Sequence, residues 1–366
     1  MITCGLDMAL ADAIRAARTA GEVPAPPAPG NPGTAGTWRP APSGASAGPG
    51  SYASTIAFLL AYQADPRDVA GRLAVRLRAR PEISTVTVTG GGYLTITVTP
   101  DTLAALAVRI TEAGPACARS DTLGGTTLTA PGRPDLAMAR TWDEAYQWVT
   151  GEVTGRLAAA AGAQVHWTDP AARPLRTHSP PRAASPVADS INFAGVDAVR
   201  YALCRIRPSA PASGRMAADA VTGVRASVEQ HLGNPAYAVR YAYAHAASAL
   251  RQAADLGLDK GDAAHAQSRL LVHPRELALL DAMSWLPEQV GGAARRGRPH
   301  VLAVYLENLA AAYFDCQEGC PAVPPGLPDE PPGRPVTQAR LWLVAAAGTT
   351  LGAGLGLLGV TAPDRL

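Results

Sequence analysis

A short segment of the sequence carries aromatic side chains at helical spacing. Tyr237 and Tyr241 are four residues apart, which places them on one face of a helix with Arg240 beside them. Asn234 suits the N-cap of that helix, and Pro235 suits its first turn. Two aromatic rings beside a guanidinium group form a platform on which unstacked nucleotide bases can stack. The same pattern is typical of an ordinary helix-bundle core, so the residues alone leave both interpretations open.

Further helices surround this segment, and we expect residues 187–366 to form an all-helical bundle. Two of them are marked by apolar residues at helical spacing, Leu277, Leu280, Met283 and Leu286 in one, and Val301, Tyr305, Leu309, Ala312 and Tyr313 in the other. Residues 341–360 are 20 residues without a charge, which is long enough to cross a membrane. Five glycines in this stretch and the charged end after it favour a last bundle helix over a membrane span.

The N-terminal third predicts a small α/β unit over residues 51–110. Val69, Leu73, Val75 and Leu77 recur on a helix with arginines between them, and residues 85–89 and 93–98 alternate as two strands around the turn Gly90-Gly91-Gly92. Residues 1–50 form an N-terminal segment, and residues 23–50 within it are so rich in Pro, Gly, Ala and Ser that we expect a disordered linker.

Residues 111–186 give fewer signals. Trp142, Tyr146 and Val149 share one face of a predicted helix over residues 142–157. Residues 170–186 are polar and rich in proline, which predicts another linker. We expect a degenerate spacer in this part of the chain.

Composition limits the classes of function. The net charge is +2 over 366 residues, so nucleic-acid binding would need a local basic surface rather than bulk charge. The five cysteines form no zinc framework, since no second Cys or His pair stands at ligand spacing. We therefore predict no metal and no cofactor. Reduced cysteines and the absence of a secretion signal predict a cytoplasmic location.

Four stretches of the C-terminal half resemble, in order and spacing, the anticodon-binding domain of arginyl-tRNA synthetases. Residues 234–245 resemble that family's N-P-V-Y-Y-V-Q-Y-A-H-A-R, and residues 195–203 resemble the D-A-L-R stretch that names the domain. Residues 299–313 resemble the next helix, and residues 355–366 resemble the closing L-L-G-x-x-A-P-E-R-M. The resemblance spans about half of the chain and implies an anticodon-binding bundle of the class I synthetase type.

Residues 80–98 resemble the additional N-terminal domain of the same family. There a helix is followed by a strand, a G-P-G-F-type turn and a second strand, and the unit holds the outer corner of the tRNA around the D-loop. Gly91 replaces the usual proline of the turn, Tyr93 replaces phenylalanine, and Thr95 stands where the family commonly has asparagine. The resemblance implies that Tyr93 and Thr95 face the tRNA corner.

The chemistry of arginylation is missing from the sequence. The family's catalytic motifs resemble H-I-G-H and K-M-S-K-S, which act on the phosphates and on transition-state charge. Lys260 is the only lysine and has no Ser neighbour, and the string at residues 231–234 lacks the last histidine of H-I-G-H. About eighty residues stand where a Rossmann-type catalytic domain of a few hundred would be, either as a shrunken remnant or as an unrelated spacer. We predict that the chain is not an enzyme.

The favoured hypothesis is an α+β, stand-alone protein that binds the anticodon arm of a tRNA, with an arginine-accepting tRNA as partner and neither DNA nor a membrane. The residues assigned to RNA contact are Tyr237, Arg240, Tyr241, Tyr243, Tyr305, Tyr93 and Thr95, with Tyr305 equally well placed in a bundle core. The alternative is an interaction protein that has lost RNA binding and contacts a synthetase or an amino-acid biosynthetic enzyme through its Gly-rich last helix. A transferase using charged tRNA is a third hypothesis, for which no catalytic constellation is visible.

Overall fold

The computed structural model describes residues 2–23, 38–41, 48–62, 64–168, 185–207, 231–323 and 334–366. Within them the chain has the predicted α+β fold, with strands near the N-terminus and helices throughout the C-terminal half. The strands are β1 (Trp38–Pro40), β2 (Ser51–Ser54), β3 (Ile83–Thr89), β4 (Tyr93–Val98), β5 (Thr127–Pro131) and β6 (Gln164–Thr168). The helices are α1 (Ile2–Thr19), α2 (Ile56–Ala61), α3 (Pro66–Leu77), α4 (Pro100–Ala104), α5 (Leu106–Ala113), α6 (Trp142–Ala160), α7 (Pro186–Ala194), α8 (Val196–Arg205), α9 (Pro235–Asp255), α10 (Pro274–Ser284), α11 (Leu286–Arg296), α12 (Pro299–Gly319) and α13 (Arg334–Leu358).

The N-terminal unit is an antiparallel sheet in the order β1-β2-β4-β3 covered by helices. The predicted helix, strand, glycine turn and strand are confirmed as α3, β3, the turn and β4. Gly92 has a φ of +130°, and a Cβ there would lie 2.8 Å from Pro66, so only glycine fits this side of the turn. An ion pair of 2.7 Å joins Arg80, just after α3, to Asp12 on α1. A second, of 2.5 Å, joins Arg76 on α3 to Glu22, which follows α1.

The structure differs from the expected disordered linker at Trp38–Pro40, which is strand β1. Trp38 is 1% exposed, and its indole N–H donates a hydrogen bond of 2.8 Å to Asp7 Oδ1. Burial of a large aromatic ring whose N–H is satisfied offsets the entropy lost on ordering this short segment. Residues 24–37 and 42–47 of the predicted linker lie outside the described residues.

Residues 111–168 contain a parallel pair of strands where a spacer was expected. β5 and β6 pair in parallel, with Leu128 opposite Val165 and Ala130 opposite Trp167, and α6 connects them. This βαβ unit contains the predicted helix around Trp142. The predicted linker over residues 170–186 lies outside the described residues up to 184, and Pro186 begins α7.

The C-terminal bundle follows the predicted helices with one difference. Leu286 lies not in the same helix as Leu277 but at the start of α11, because Pro287 has no N–H to continue the hydrogen bonds of α10. α13 packs against α9, α12 and α5. It is long and apolar enough to cross a membrane, yet 67% of its most apolar window is buried inside the protein, as in a core helix.

The N-terminal unit packs directly on the bundle at α10. The Tyr52 hydroxyl donates to Ser284 Oγ at 2.8 Å, and its ring lies 5.0 Å from that of Trp285. The Gly50 N–H donates to Asp281 Oδ1 at 2.9 Å. Apolar contact and satisfied polar groups together make this an internal interface.

A buried ion cluster joins the βαβ unit to the bundle. Glu152 on α6 pairs with Arg200 on α8, and both side chains are 1% exposed. Arg156 lies 2.7 Å from Glu152 and also donates to the Gly356 carbonyl at 2.9 Å. Removing one partner would leave a buried charge uncompensated, so the cluster holds α6, α8 and α13 in one arrangement.

Candidate nucleic-acid interface

Three nearly parallel rings lie between α9 and α12. The ring centroids of Tyr237 and Tyr241 are 5.4 Å apart with 9° between their planes. The ring of Phe314 lies 5.6 Å from that of Tyr241, at 22°. All three side chains are partly exposed. We call Tyr237, Tyr241 and Phe314 the aromatic ladder.

The helix start that positions the ladder is as predicted. The Asn234 side-chain oxygen accepts hydrogen bonds from the N–H groups of Ala236 (3.1 Å) and Tyr237 (3.3 Å), and Pro235 occupies the first turn. The helix then carries Tyr237 and Tyr241 on one face, so the predicted pair is brought together.

His245 and Tyr313 support the ladder from the protein side. His245 Nδ1 lies 2.8 Å from the Tyr313 hydroxyl, and its ring meets Tyr241 and Phe314 edge-on. Burial lowers the pKa of His245, so the imidazole is neutral at pH 7. Sequence reasoning missed Phe314, because only the crossing of α9 over α12 brings it to Tyr241.

Arginines partly neutralise the carboxylates near the ladder on α12. Glu307 is 2.7 Å from Arg205, and Arg275 alone faces both Asp315 (3.6 Å) and Glu318 (3.3 Å), so one negative charge remains at the end of the helix. These pairs reduce the repulsion that unpaired carboxylates would exert on a phosphate backbone.

Arg240 and Tyr243 point away from the ladder. Arg240 Nη2 lies 3.9 Å from Asp197 on α8, with 26% of its side chain exposed, so its charge is partly neutralised. Tyr243 packs on α13 at Gly352, and its hydroxyl donates to Asp364 at 3.3 Å. We expected Tyr237, Arg240, Tyr241 and Tyr243 to share one RNA-facing surface. That expectation is wrong for Tyr243. Arg240 remains partly exposed but lies to one side of the ladder.

Two other predicted contacts are buried. Tyr305 is 9% exposed, and its hydroxyl donates to the Ala282 carbonyl at 2.9 Å, so it is a core residue with its polar group satisfied. Thr95 is 8% exposed in the central strand β4, between Ala53 and Thr87 on the neighbouring strands. Neither side chain is available to a base, which corrects both predictions.

Tyr93 lies on a separate surface of the N-terminal unit. It is 46% exposed and meets Phe58 edge-on, with ring centroids 5.0 Å apart. Arg67 donates a 2.5 Å hydrogen bond to the Gly90 carbonyl in the adjoining turn. The predicted exposure of Tyr93 is met, and Phe58 is an aromatic neighbour that sequence reasoning did not identify.

Three of the four glycines of α13 face neighbouring helices of the bundle. A Cβ on Gly348 would lie 3.5 Å from Ala246, one on Gly352 2.9 Å from Tyr243, and one on Gly354 2.4 Å from Leu306. These small residues therefore let α9 and α12 approach α13 closely. The alternative hypothesis, in which the glycines of this helix bind another protein, keeps only Gly356 as an exposed glycine.

The start of α6 is poorly suited to phosphate. Thr141 caps the helix by accepting from the Glu144 N–H at 3.2 Å, and Asp143 and Glu144 occupy the first turn. Two carboxylates at a helix N-terminus satisfy the helix dipole and repel an anion. The βαβ unit therefore offers no phosphate cradle at this helix.

Two family models match the chain. The DALR anticodon binding domain matches residues 239–366, and the arginyl tRNA synthetase N terminal domain matches residues 44–98. The first match begins within α9 and contains α12 and α13, with Tyr241 and Phe314. The second contains the β3–β4 turn with Tyr93.

Curated relatives match about half of the chain. The arginine–tRNA ligase of Frankia alni is 42% identical over 178 residues, and that of Micrococcus luteus is 37% identical over 181 residues. Each match covers 49% of this chain but only 30% of the relative. The solved Thermus thermophilus arginyl-tRNA synthetase aligns over the whole of both chains with a TM-score of 0.56 and 15% identity, which is a likeness of fold.

Proposed function

Because the chain carries two domains of the arginyl-tRNA synthetase family, the DALR anticodon-binding domain and the N-terminal domain, we propose that it is a tRNA-binding protein that holds the anticodon arm. The observation that carries this proposal is the aromatic ladder. Tyr237, Tyr241 and Phe314 present partly exposed, nearly parallel rings, of which Tyr241 and Phe314 lie inside the matched domain and Tyr237 two residues before it. Such rings accept bases that the anticodon loop leaves unpaired.

The proposed partner is an arginine-accepting tRNA in the cytoplasm. Tyr93, exposed on the N-terminal unit, provides a second contact near the tRNA corner. The revised RNA-facing set is therefore the ladder and Tyr93, with Arg240 adding charge at the flank toward α8. Tyr243, Tyr305 and Thr95 act as structural residues.

The protein does not attach arginine to tRNA in this proposal. Its middle part is a two-stranded βαβ unit, the kind from which Rossmann-type sheets are built, and we interpret it as a shrunken remnant of a catalytic domain. The sequence of this unit has no lysine to act on transition-state charge. Purified protein given ATP, arginine and tRNA should therefore form no arginyl-tRNA, and charging of tRNA by a synthetase-free preparation would contradict this part of the proposal.

The ladder is tested by replacing Tyr241 with alanine. Stacking on one aromatic ring is worth about 1–3 kcal/mol, so Tyr241→Ala should weaken tRNA binding about 5- to 150-fold. The dependence of affinity on salt should stay the same, because the ring contacts no phosphate. The measurement is the dissociation constant for tRNA at several salt concentrations.

Two further variants control this experiment. Tyr241→Phe keeps the ring and should bind as the wild type does. Phe193→Ala removes a ring that is 69% exposed on α7, away from the ladder's helices α9 and α12, and should also leave affinity unchanged. If Tyr241→Ala binds tRNA as tightly as Phe193→Ala, the ladder is not the RNA contact.

A further inference from the structure

Cationic side chains gather around the elbow between α11 and α12. Arg296 ends α11, Arg298 is the N-cap residue of α12, His300 is in the first turn of α12, and Arg207 follows α8. The three arginines are exposed, and His300 is half-buried. Burial lowers the pKa of His300, and the charges of Arg207, Arg298 and Arg296 lower it further. The three arginines therefore lie near enough to His300 for their charges to act on it, and we call these four residues the elbow cluster.

No carboxylate of the described residues forms an ion pair with Arg207, Arg296 or Arg298. Arginines elsewhere on the same helices do have such partners, as Arg205 has Glu307 at 2.7 Å. The first turn of α12 also contains no acidic residue. His300 Nδ1 is shielded from solvent and has no hydrogen-bond partner. Uncompensated like charges raise the energy of the folded state, and an anionic ligand would lower it.

A hollow of about 350 Å³ adjoins the elbow cluster at Gly297, between β5 and α6. The side chains that line it are uncharged, and Thr129, Thr150, Thr154 and Gln147 supply hydroxyl and amide groups. Neutral donors and acceptors next to arginines suit a sugar–phosphate chain, in which charged phosphates alternate with neutral riboses.

The elbow cluster and the aromatic ladder lie on the same face of α12. His300, Glu307 and Phe314 follow each other at intervals of seven residues, about two helical turns, so the three side chains point in similar directions. At about 1.5 Å per residue, His300 and Phe314 are roughly 21 Å apart along the helix. Glu307 between them is paired with Arg205, so α12 carries no unpaired carboxylate between His300 and Phe314.

We propose that Arg207, Arg296, Arg298 and His300 bind backbone phosphates of the RNA whose bases stack on the aromatic ladder. This inference rests on the proposed function and adds a second contact to it. The ladder holds bases, whereas the elbow cluster holds phosphates one helix length away. The two contacts together place the path of the RNA strand along α12.

The test is the double variant Arg296→Gln/Arg298→Gln, measured by tRNA binding at several salt concentrations. Each lost phosphate contact should reduce the slope of log affinity against log salt by about 0.7–0.9, so the double variant should lose about 1.4–1.8. The matched control is Arg15→Gln/Arg269→Gln, which removes the same amount of charge from two exposed positions. Arg15 lies on α1, and Arg269 lies in the segment Ser268–Leu270. The control should keep the slope within about 0.3 of the wild type.

A second measurement uses inorganic phosphate and no RNA. The imidazole signals of His300 are followed by NMR against pH, with His300→Gln to assign them. Phosphate at the elbow cluster should raise the pKa of His300 in the wild type and leave it unchanged in Arg296→Gln/Arg298→Gln. An unchanged pKa in the wild type would overturn the site.

The two measurements separate this inference from the proposed function. If the wild type binds tRNA and the arginine double variant keeps the full salt slope, the elbow cluster does not contact the RNA. If the wild type binds no tRNA while phosphate still raises the pKa of His300, the proposed function fails. The elbow cluster is then an anion site, but its ligand is not RNA.

Discussion

Phe314 is the residue that most changes the account of the binding surface. It lies against Tyr241 at 5.6 Å and extends the predicted pair onto a second helix. Phe314→Ala should weaken tRNA binding about 5- to 150-fold, because one stacking face and the support of Tyr241 are both lost. Phe314→Tyr should keep the affinity. Binding of Phe314→Ala that equals that of the wild type would limit the platform to Tyr237 and Tyr241.

For individual residues, the sequence predicts those features that depend on one helix alone, such as which side chains share a face and which residue caps the helix. Tyr237 and Tyr241 share a face because of helical geometry, and Asn234 caps that helix because its side chain reaches the first N–H groups. Phe314, the Asp197 partner of Arg240 and the burial of Tyr305 depend on how helices cross. No local pattern contains that information.

Because burial lowers the pKa of His245, we expect the protein to lose stability in acid. The folded-state pKa of His245 is below the ordinary value of 6.5, so below about pH 6.5 the unfolded chain binds more protons than the folded one. The free energy of unfolding should therefore fall as the pH decreases through this range, and His245→Gln should lose less. Urea unfolding of both proteins at pH 7.5 and 5.5 measures the difference. Equal losses in the two proteins would contradict a role for His245.

At the scale of elements, the glycines of α13 have different roles. Gly354→Ala should destabilise the protein by about 1–3 kcal/mol, because its Cβ would lie 2.4 Å from the buried Leu306. Gly356→Ala meets no atom within 4 Å and should stabilise the helix by up to about 0.5–1 kcal/mol. Thermal unfolding of the two variants compares them directly. Similar melting temperatures would show that α13 is not packed as described.

Helices and strands could be predicted from the sequence wherever apolar residues repeat at helical or strand spacing over a long segment. The helices of the bundle and the β3–β4 hairpin are visible in the sequence, whereas β1 and the parallel pair β5–β6 are not. Trp38–Pro40 is only three residues long and stands among prolines and glycines. β5 and β6 pair across a whole helix, and a pairing between such distant segments has no local signature.

At the scale of the whole molecule, the N-terminal unit and the bundle share an interface that contains half-buried carboxyl groups. Glu288 on α11 has its pKa raised to about 7 by burial and by Asp7, against the opposing charges of Arg295 and Arg39. Between about pH 4.5 and 7 the folded protein holds a proton that the unfolded chain releases, so this group favours folding less as the pH rises.

Glu288→Gln should therefore stabilise the protein at pH 8 and have little effect at pH 4.5. The gain at pH 8 should be at most about 2–3 kcal/mol, set by the size of the pKa shift. Thermal unfolding at the two pH values measures it. A variant that is stabilised equally at both values, or destabilised at pH 8, would show that burial does not raise the pKa of Glu288 at this interface.

The two matched domains pack directly on each other. The domains meet at Tyr52, Ser284 and Trp285 and are held further by the Glu152–Arg200 cluster of the βαβ unit. The aromatic ladder, the elbow cluster and Tyr93 therefore sit on one framework whose partner in this account is a single tRNA.

The most direct test is to cross-link the protein to RNA in cells and to sequence the RNA that is attached. The account predicts tRNAs, enriched in arginine acceptors, with cross-links at Tyr237, Tyr241 or Phe314 that map to the anticodon loop. Recovery of no tRNA above the level of a Tyr241→Ala/Phe314→Ala variant would contradict it.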